Sequence, residues 1–166
     1  FNRTENHEIN NIEATAPDIE DNDRNYLIVS NDDFRIEFNK RNGYLSKYEV
    51  NGLDFMEEGA MLKPNFWRAP TDNDFGAKLN HKNRIWKDPE IKLTAFKHRI
   101  ENKQVIIKAS YSMPEVSSKL DLTYIINNIG AIKVTQKMTT DKNAKVPNMF
   151  RFGMQMQMPK CLDQIN

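Results

Sequence analysis

The chain has one cysteine in 166 residues, Cys161, so no disulfide can form within it. Neither sign of charge is in excess. The formal net charge is +1, which gives no reason to expect nucleic acid or an anionic membrane as a partner. No apolar run approaches the roughly 20 residues of a membrane span. The first seven residues, Phe1 to His7, contain no apolar h-region and are not a signal peptide. Compartment is left open by these features. The sequence also starts without an initiator methionine, so a piece of a longer protein is expected. A glycine-rich phosphate loop, a serine nucleophile elbow and a basic stripe are all missing. His7, His81 and His98 are scattered, none with a second ligand at metal spacing. Cys161 has no positioned His or Asp partner. No catalytic residue and no metal ligand is therefore expected.

What remains is 39% hydrophobic and 28% charged, the balance of an ordinary soluble domain with a sizeable core. Residues 1–24 are polar and acidic, with Asp18, Glu20, Asp21 and Asp23 following Pro17. They read as a linker or the tail of a preceding domain, with Ile9 and Ile12 as local anchors, and order is expected to begin at Tyr26. Residues 34–38 alternate apolar with charged, the period-two pattern of a half-buried strand. Asn42-Gly43 and Asn51-Gly52 supply the positive-φ positions of tight turns, so a meander over residues 26–56 follows. Further strands are predicted over 91–96, 104–113, 120–126, 131–138 and 150–158, with a turn at residues 127–130. Residues 77–84 read as a mobile polar loop, and no amphipathic helix is evident. The fold class is all-β and antiparallel, a sandwich of large sheets. The last predicted strand has five apolar side chains on one face, so the chain is expected to stop within its domain.

One stretch breaks this rhythm: Asn65-Phe66-Trp67-Arg68-Ala69-Pro70-Thr71-Asp72-Asn73-Asp74-Phe75-Gly76. It concentrates aromatic area, charge and constrained backbone in a dozen residues, the make-up of an inter-domain contact or the rim of a binding site. Asp72 and Asp74 invite comparison with an acid/base pair or a hard-cation site. Two residues apart in an extended loop, however, they would point to opposite sides, and Asn73 adds too few oxygens for calcium. The ordinary reading is that Asp72, Asn73 and Asp74 cap turns, with Arg68 as ion-pair partner. Trp67 and Trp86 have faces suited to stacking on a sugar ring, although core or interface packing is the commoner use of such side chains.

The twelve residues from Asn65 to Gly76 closely resemble a signature of large family-2 β-galactosidases. They look like the start of the C-terminal small-chain domain, a galactose-mutarotase-like supersandwich. Supporting similarities are residues 34–52, Ile85-Trp86 and Arg151-Phe152-Gly153-Met154. The resemblance covers residues 26–160. It implies that residues 25–166 are the N-terminal part of that domain and that 1–24 end an immunoglobulin-like domain and its linker. It implies a parent that hydrolyses terminal β-D-galactosides with retention, using glutamates in a barrel absent here. Magnesium and sodium would be bound elsewhere in the parent, with no cofactor in this chain. Expected partners are the catalytic barrel, neighbouring domains and galactoside at the rim; whether the parent is a homo-oligomer is left open. Trp67, Arg68, Asp72, Asn73, Asp74 and Gly76 would form an inter-domain loop at the active-site rim. Gly76 matches the hinge glycine of a loop that shifts between open and closed positions. The chain alone would be inactive. The alternatives are a free-standing carbohydrate-binding module of the same fold, with Trp67 and Trp86 exposed, and a mutarotase-type enzyme, for which no His and carboxylate pair is evident.

Overall fold

The structure is a computed structural model that describes residues 15–160. Its first sheet is a meander of β1 (Asp18–Glu20), β2 (Tyr26–Ser30), β3 (Phe34–Asn39), β4 (Tyr44–Val50) and β5 (Leu53–Asp54), each antiparallel to the next. A short strand, β6 (Lys63–Asn65), leads to two helical turns, α1 (Asp72–Gly76) and α2 (Leu79–Lys82). A second meander follows: β7 (Lys92–Glu101), β8 (Gln104–Met113), β9 (Ser118–Ile126) and β10 (Ile132–Thr140). Finally β11 (Gly153–Gln155) returns to pair with β6 in a two-stranded sheet.

The two meanders pack face to face because each puts every second side chain inward. Leu27, Val29, Phe34, Ile36 and Phe38 project from the first sheet. They meet Val105, Ile107, Tyr111, Leu120, Leu122 and Tyr124 of the second in one buried cluster. Phe38 meets Tyr124 edge-on with ring centroids 4.9 Å apart, and Tyr44 stacks on Tyr111 at 5.5 Å. Burying one such large apolar side chain is worth about 1.5–3 kcal/mol. The polar ends of the sandwich are sewn by directed bonds. The Tyr48 hydroxyl donates to the Gly130 carbonyl at 3.1 Å, and Asn31 Nδ2 donates to the Asn128 carbonyl at 2.8 Å. Burial pushes the Tyr44 hydroxyl up to about 12, and those of Tyr111 and Tyr124 also rise, so the interior phenols stay neutral.

The turns follow the expected chemistry. Asn51 and Gly52 both have positive φ, 51° and 75°, and join β4 to β5. Asn127 Oδ1 accepts from the amides of Ile129 and Ala131, closing the β9–β10 turn. There Gly130 (φ +77°) sits so close to Phe34 that a Cβ would come within 2.8 Å of the ring, which leaves room for glycine alone.

Three expectations are corrected. Order is seen before Tyr26: β1 pairs with β2, and Ile19 packs against the core, although acidic neighbours mask any strand pattern. The strand expected over 150–158 contracts to β11. Its partner β6 is only Lys63–Asn65, and Pro64 at its centre has no N–H to extend the ladder. Residues 77–84 are not an irregular loop but contain α2, followed by a 3₁₀ turn at Arg84–Trp86. These helical pieces are four or five residues long, too short to show an amphipathic period.

Candidate functional site

The Asn65 to Gly76 segment is built from its two ends inward. At its start Asn65 Oδ1 accepts from the Trp67 amide at 2.9 Å, an Asx turn that swings the chain out of β6. Phe66 is thereby buried, its ring 5.6 Å from that of Trp86 and 6.0 Å from that of Phe152. Trp67 is half-buried and meets Phe150 edge-on at 4.8 Å. The Arg68 guanidinium lies over the same Phe150 ring, 4.9 Å from its centroid.

At the far end Asp74 gathers four donors' worth of contact. Arg68 Nη1 donates to its Oδ2 at 2.7 Å and Nη2 to its Oδ1 at 3.4 Å. The Thr71 amide donates to Oδ2 at 2.7 Å, and the Thr71 hydroxyl lies 3.0 Å from the same oxygen. The Arg68 hydrogen bonds first, then the Thr71 amide, hold the carboxyl down at about 2, so it is ionised throughout the neutral range. The arrangement is a capping box: Asp74, the third residue of α1, reaches back to the Thr71 amide, and the Thr71 side chain reaches forward to the Asp74 amide. That spacing, Thr71-x-x-Asp74, was the sequence signal for α1, and sequence reasoning passed over it. Nothing local signals Phe150, the ring on which Trp67 and Arg68 both rest.

The capping expected of three residues falls to Asp74 alone. Asp72 and Asn73 are exposed and make no side-chain hydrogen bond among the described residues. Phe75 beside them is 52% exposed. The extended-loop geometry expected for Asp72 and Asp74 is replaced by a helical turn. Gly76 is exposed, has no positive φ, and an added Cβ would meet nothing within 4 Å. The left-handed residue of this region is instead Lys78, with φ 56°.

Trp86 lies apart from these groups. It is 3% exposed, belongs to the main core, and donates its indole N–H to the Pro147 carbonyl at 2.6 Å. Its ring is thus a packing anchor rather than an exposed platform. His81 and His98 are exposed on separate elements, while His7 and Cys161 lie outside the described residues. No group of three His, Cys, Asp or Glu side chains suited to a metal occurs among the described residues. Asp74 is a poor cation ligand in any case, because Arg68 and Thr71 already occupy its oxygens.

Chemically, then, the segment can present Asp72, Asn73 and Phe75 from a turn clamped to the sandwich, and it has no free acid/base pair. Comparison with known proteins agrees with a part rather than a whole. The family model described as beta galactosidase small chain matches residues 30–166. The β-galactosidase of Priestia megaterium is 26% identical over 147 residues, covering 87% of this chain and 14% of the relative. That of Lactobacillus delbrueckii subsp. bulgaricus is 27% identical over 149 residues, again 14% of its length. For the Clostridium acetobutylicum enzyme the figures are 28% over 112 residues and 12%. The chain thus spans about one seventh of the first two relatives.

Proposed function

This chain belongs to the β-galactosidase small-chain family, and from that premise we propose that it is a non-catalytic β-sandwich part of a β-galactosidase. In this reading the parent hydrolyses terminal β-D-galactosides with retention, through a glycosyl-enzyme intermediate formed by two glutamates in its barrel. Magnesium and sodium, where the parent uses them, are bound outside this chain. The sandwich packs on the barrel and neighbouring domains, and the turn bearing Trp67, Arg68, Asp72, Asn73, Asp74 and Gly76 shapes the rim of the sugar site.

The observation that supports this reading is the commitment of Asp74. A retaining glycosidase needs two carboxyl groups free to trade protons and attack carbon. Asp74 is ionised, and Arg68 and Thr71 hold its oxygens, so it stabilises structure instead. Its clamp turns Asp72 and Asn73 outward, where a neighbouring domain or a sugar hydroxyl meets them with little ordering cost. Arg68 is a positioning residue, acting on the rim through Asp74.

The test is complementation. The chain alone is expected to leave a chromogenic β-galactoside unhydrolysed, and mixing it with the remainder of the parent is expected to restore turnover. In that assembled enzyme, Asp72→Ala should raise KM more than it lowers kcat. Hydrolysis by the isolated chain at a rate near an intact enzyme's would overturn the proposal.

A further inference from the structure

The two Asn-Gly pairs, Asn42-Gly43 and Asn51-Gly52, make turns of the same meander but sit in opposite surroundings. In such a dipeptide the asparagine side chain is open to attack by the next backbone nitrogen, because glycine has no Cβ to hinder the approach. Whether the attack occurs depends on what holds the reacting groups.

At the first pair they are all engaged. Asn42 Oδ1 accepts from the Tyr44 amide at 3.0 Å, and Asn42 Nδ2 donates to Met61 Sδ at 3.2 Å. The Gly43 amide, the nucleophile, donates to the Asn39 carbonyl at 2.7 Å. Gly43 is also buried, so tightly that an added Cβ would meet Tyr111 Oη at 2.7 Å. The turn closes a long hairpin, with β3 and β4 paired from Phe34–Val50 to Asn39–Tyr44.

At the second pair they are free. Asn51 and Gly52 are exposed, and a Cβ on Gly52 would meet nothing within 4 Å. The Asn51 side chain and the Gly52 amide make no hydrogen bond among the described residues. The Asn51 amide donates to the Asp33 carbonyl at 2.7 Å, which fixes the start of the turn but leaves rotation about the Asn51 Cα–C bond open. Beyond it β5 has only two residues, paired Glu49–Asp54 and Val50–Leu53. Little therefore resists the rotation that brings the Gly52 nitrogen against Asn51 Cγ.

We propose that Asn51 is a site of spontaneous deamidation, a modification that releases β5. The Gly52 nitrogen gives its proton to solvent base and bonds to Asn51 Cγ. The Cγ–Nδ2 bond breaks, and that nitrogen leaves as ammonia, closing a succinimide ring. Water then adds to either ring carbonyl and opens the ring to aspartate or isoaspartate. No electrons are transferred, and water is the only co-reactant. Isoaspartate puts an extra carbon into the main chain of a tight turn, which the register of so short a strand cannot absorb. β5 then detaches, and with it the bond from the Phe55 amide to the Tyr48 carbonyl, 2.8 Å in the intact turn.

The test is peptide mapping by mass spectrometry of the full chain held at neutral and at mildly alkaline pH, with isoaspartyl methyltransferase labelling to separate the two products. Asn51 should convert first, and faster at the higher pH. Asn42 should convert at least about tenfold more slowly, because two ordinary hydrogen bonds must open there. In denaturant that gap should close. Hydrogen exchange on the isoaspartyl fraction should show faster exchange at Leu53 to Phe55, with β8 and β9 unchanged. The proposal is overturned if Asn42 or another asparagine converts as fast as Asn51 in the folded chain, or if the gap persists in denaturant. Unaltered exchange at Leu53 to Phe55 in the isoaspartyl fraction would equally overturn the release of β5.

Discussion

Phe38 and Asp74 are both nearly out of solvent, at 0% and 7% exposure, yet different physics keeps each of them there. Phe38 sits between two sheets, one of many side chains whose burial adds up without any single directed bond. Asp74 sits under a turn, held by one guanidinium and one threonine. A region held by area tolerates small displacements and resists pH. A region held by a few charged bonds keeps its geometry only while each partner is present. The second kind of construction costs robustness, but it leaves polar groups such as Asp72 and Asn73 pointing outward, which an apolar core cannot do.

The largest effect that can probe this contrast lies in the sandwich. Phe38→Ala should destabilise the chain by about 3–5 kcal/mol, through lost transfer energy and the cavity left against Tyr124. Denaturant unfolding should show a lower midpoint, with the loss nearly the same at pH 5 and pH 8. A pH-dependent loss there would mean that the core relies on charge more than its contacts indicate.

A smaller and differently shaped effect is expected at the clamp. Asp74 has its folded-state pKa depressed to about 2, below the ordinary carboxylate value of 3.8. The stability it adds is therefore fully present above about pH 4 and is lost as pH falls toward 2. Asp74→Asn should expose the α1 amides to hydrogen exchange at neutral pH while β8 and β9 stay protected. The difference from the parent sequence should shrink as the pH drops through that window. An equal difference at pH 7 and pH 2.5 would show that the charge on Asp74 is irrelevant to the turn.

The same contrast explains what could be read from the chain before its structure. Period-two alternation is a property of neighbours in sequence, so residues 44–50 and 104–113 were legible to the residue as β4 and β8. Asn51-Gly52 and the turn after Asn127 were legible because their side chains act locally. The Asn65 to Gly76 segment stood out in the sequence through its composition, but its geometry was not legible. Arg68 and Trp67 rest on Phe150, 83 and 82 positions away measured from Trp67 and Arg68, and Trp86 spends its indole N–H on Pro147. No local pattern encodes such pairings. β11 was over-read for the converse reason, since its apolar alternation is real but its partner strand ends at Asn65.

The smallest expected effect is also the one that bears most directly on the role of the turn. Gly76 resembles a hinge, and a hinge glycine is ordinarily explained by backbone conformations closed to other residues. In this conformation it uses none of them: it lies at the end of α1 without positive φ, and a Cβ would point into open space. Gly76→Ala should therefore leave this state intact and stabilise it by about 0.4–1 kcal/mol, by narrowing the unfolded ensemble. If the turn has a second position in which Gly76 takes positive φ, the same alanine would penalise that position alone. The assembled parent carrying Gly76→Ala should then show altered kcat and KM, although the isolated chain melts no lower than before. Unchanged kinetics together with a raised Tm would remove Gly76 as the hinge and turn attention to Lys78, which already bears the left-handed backbone.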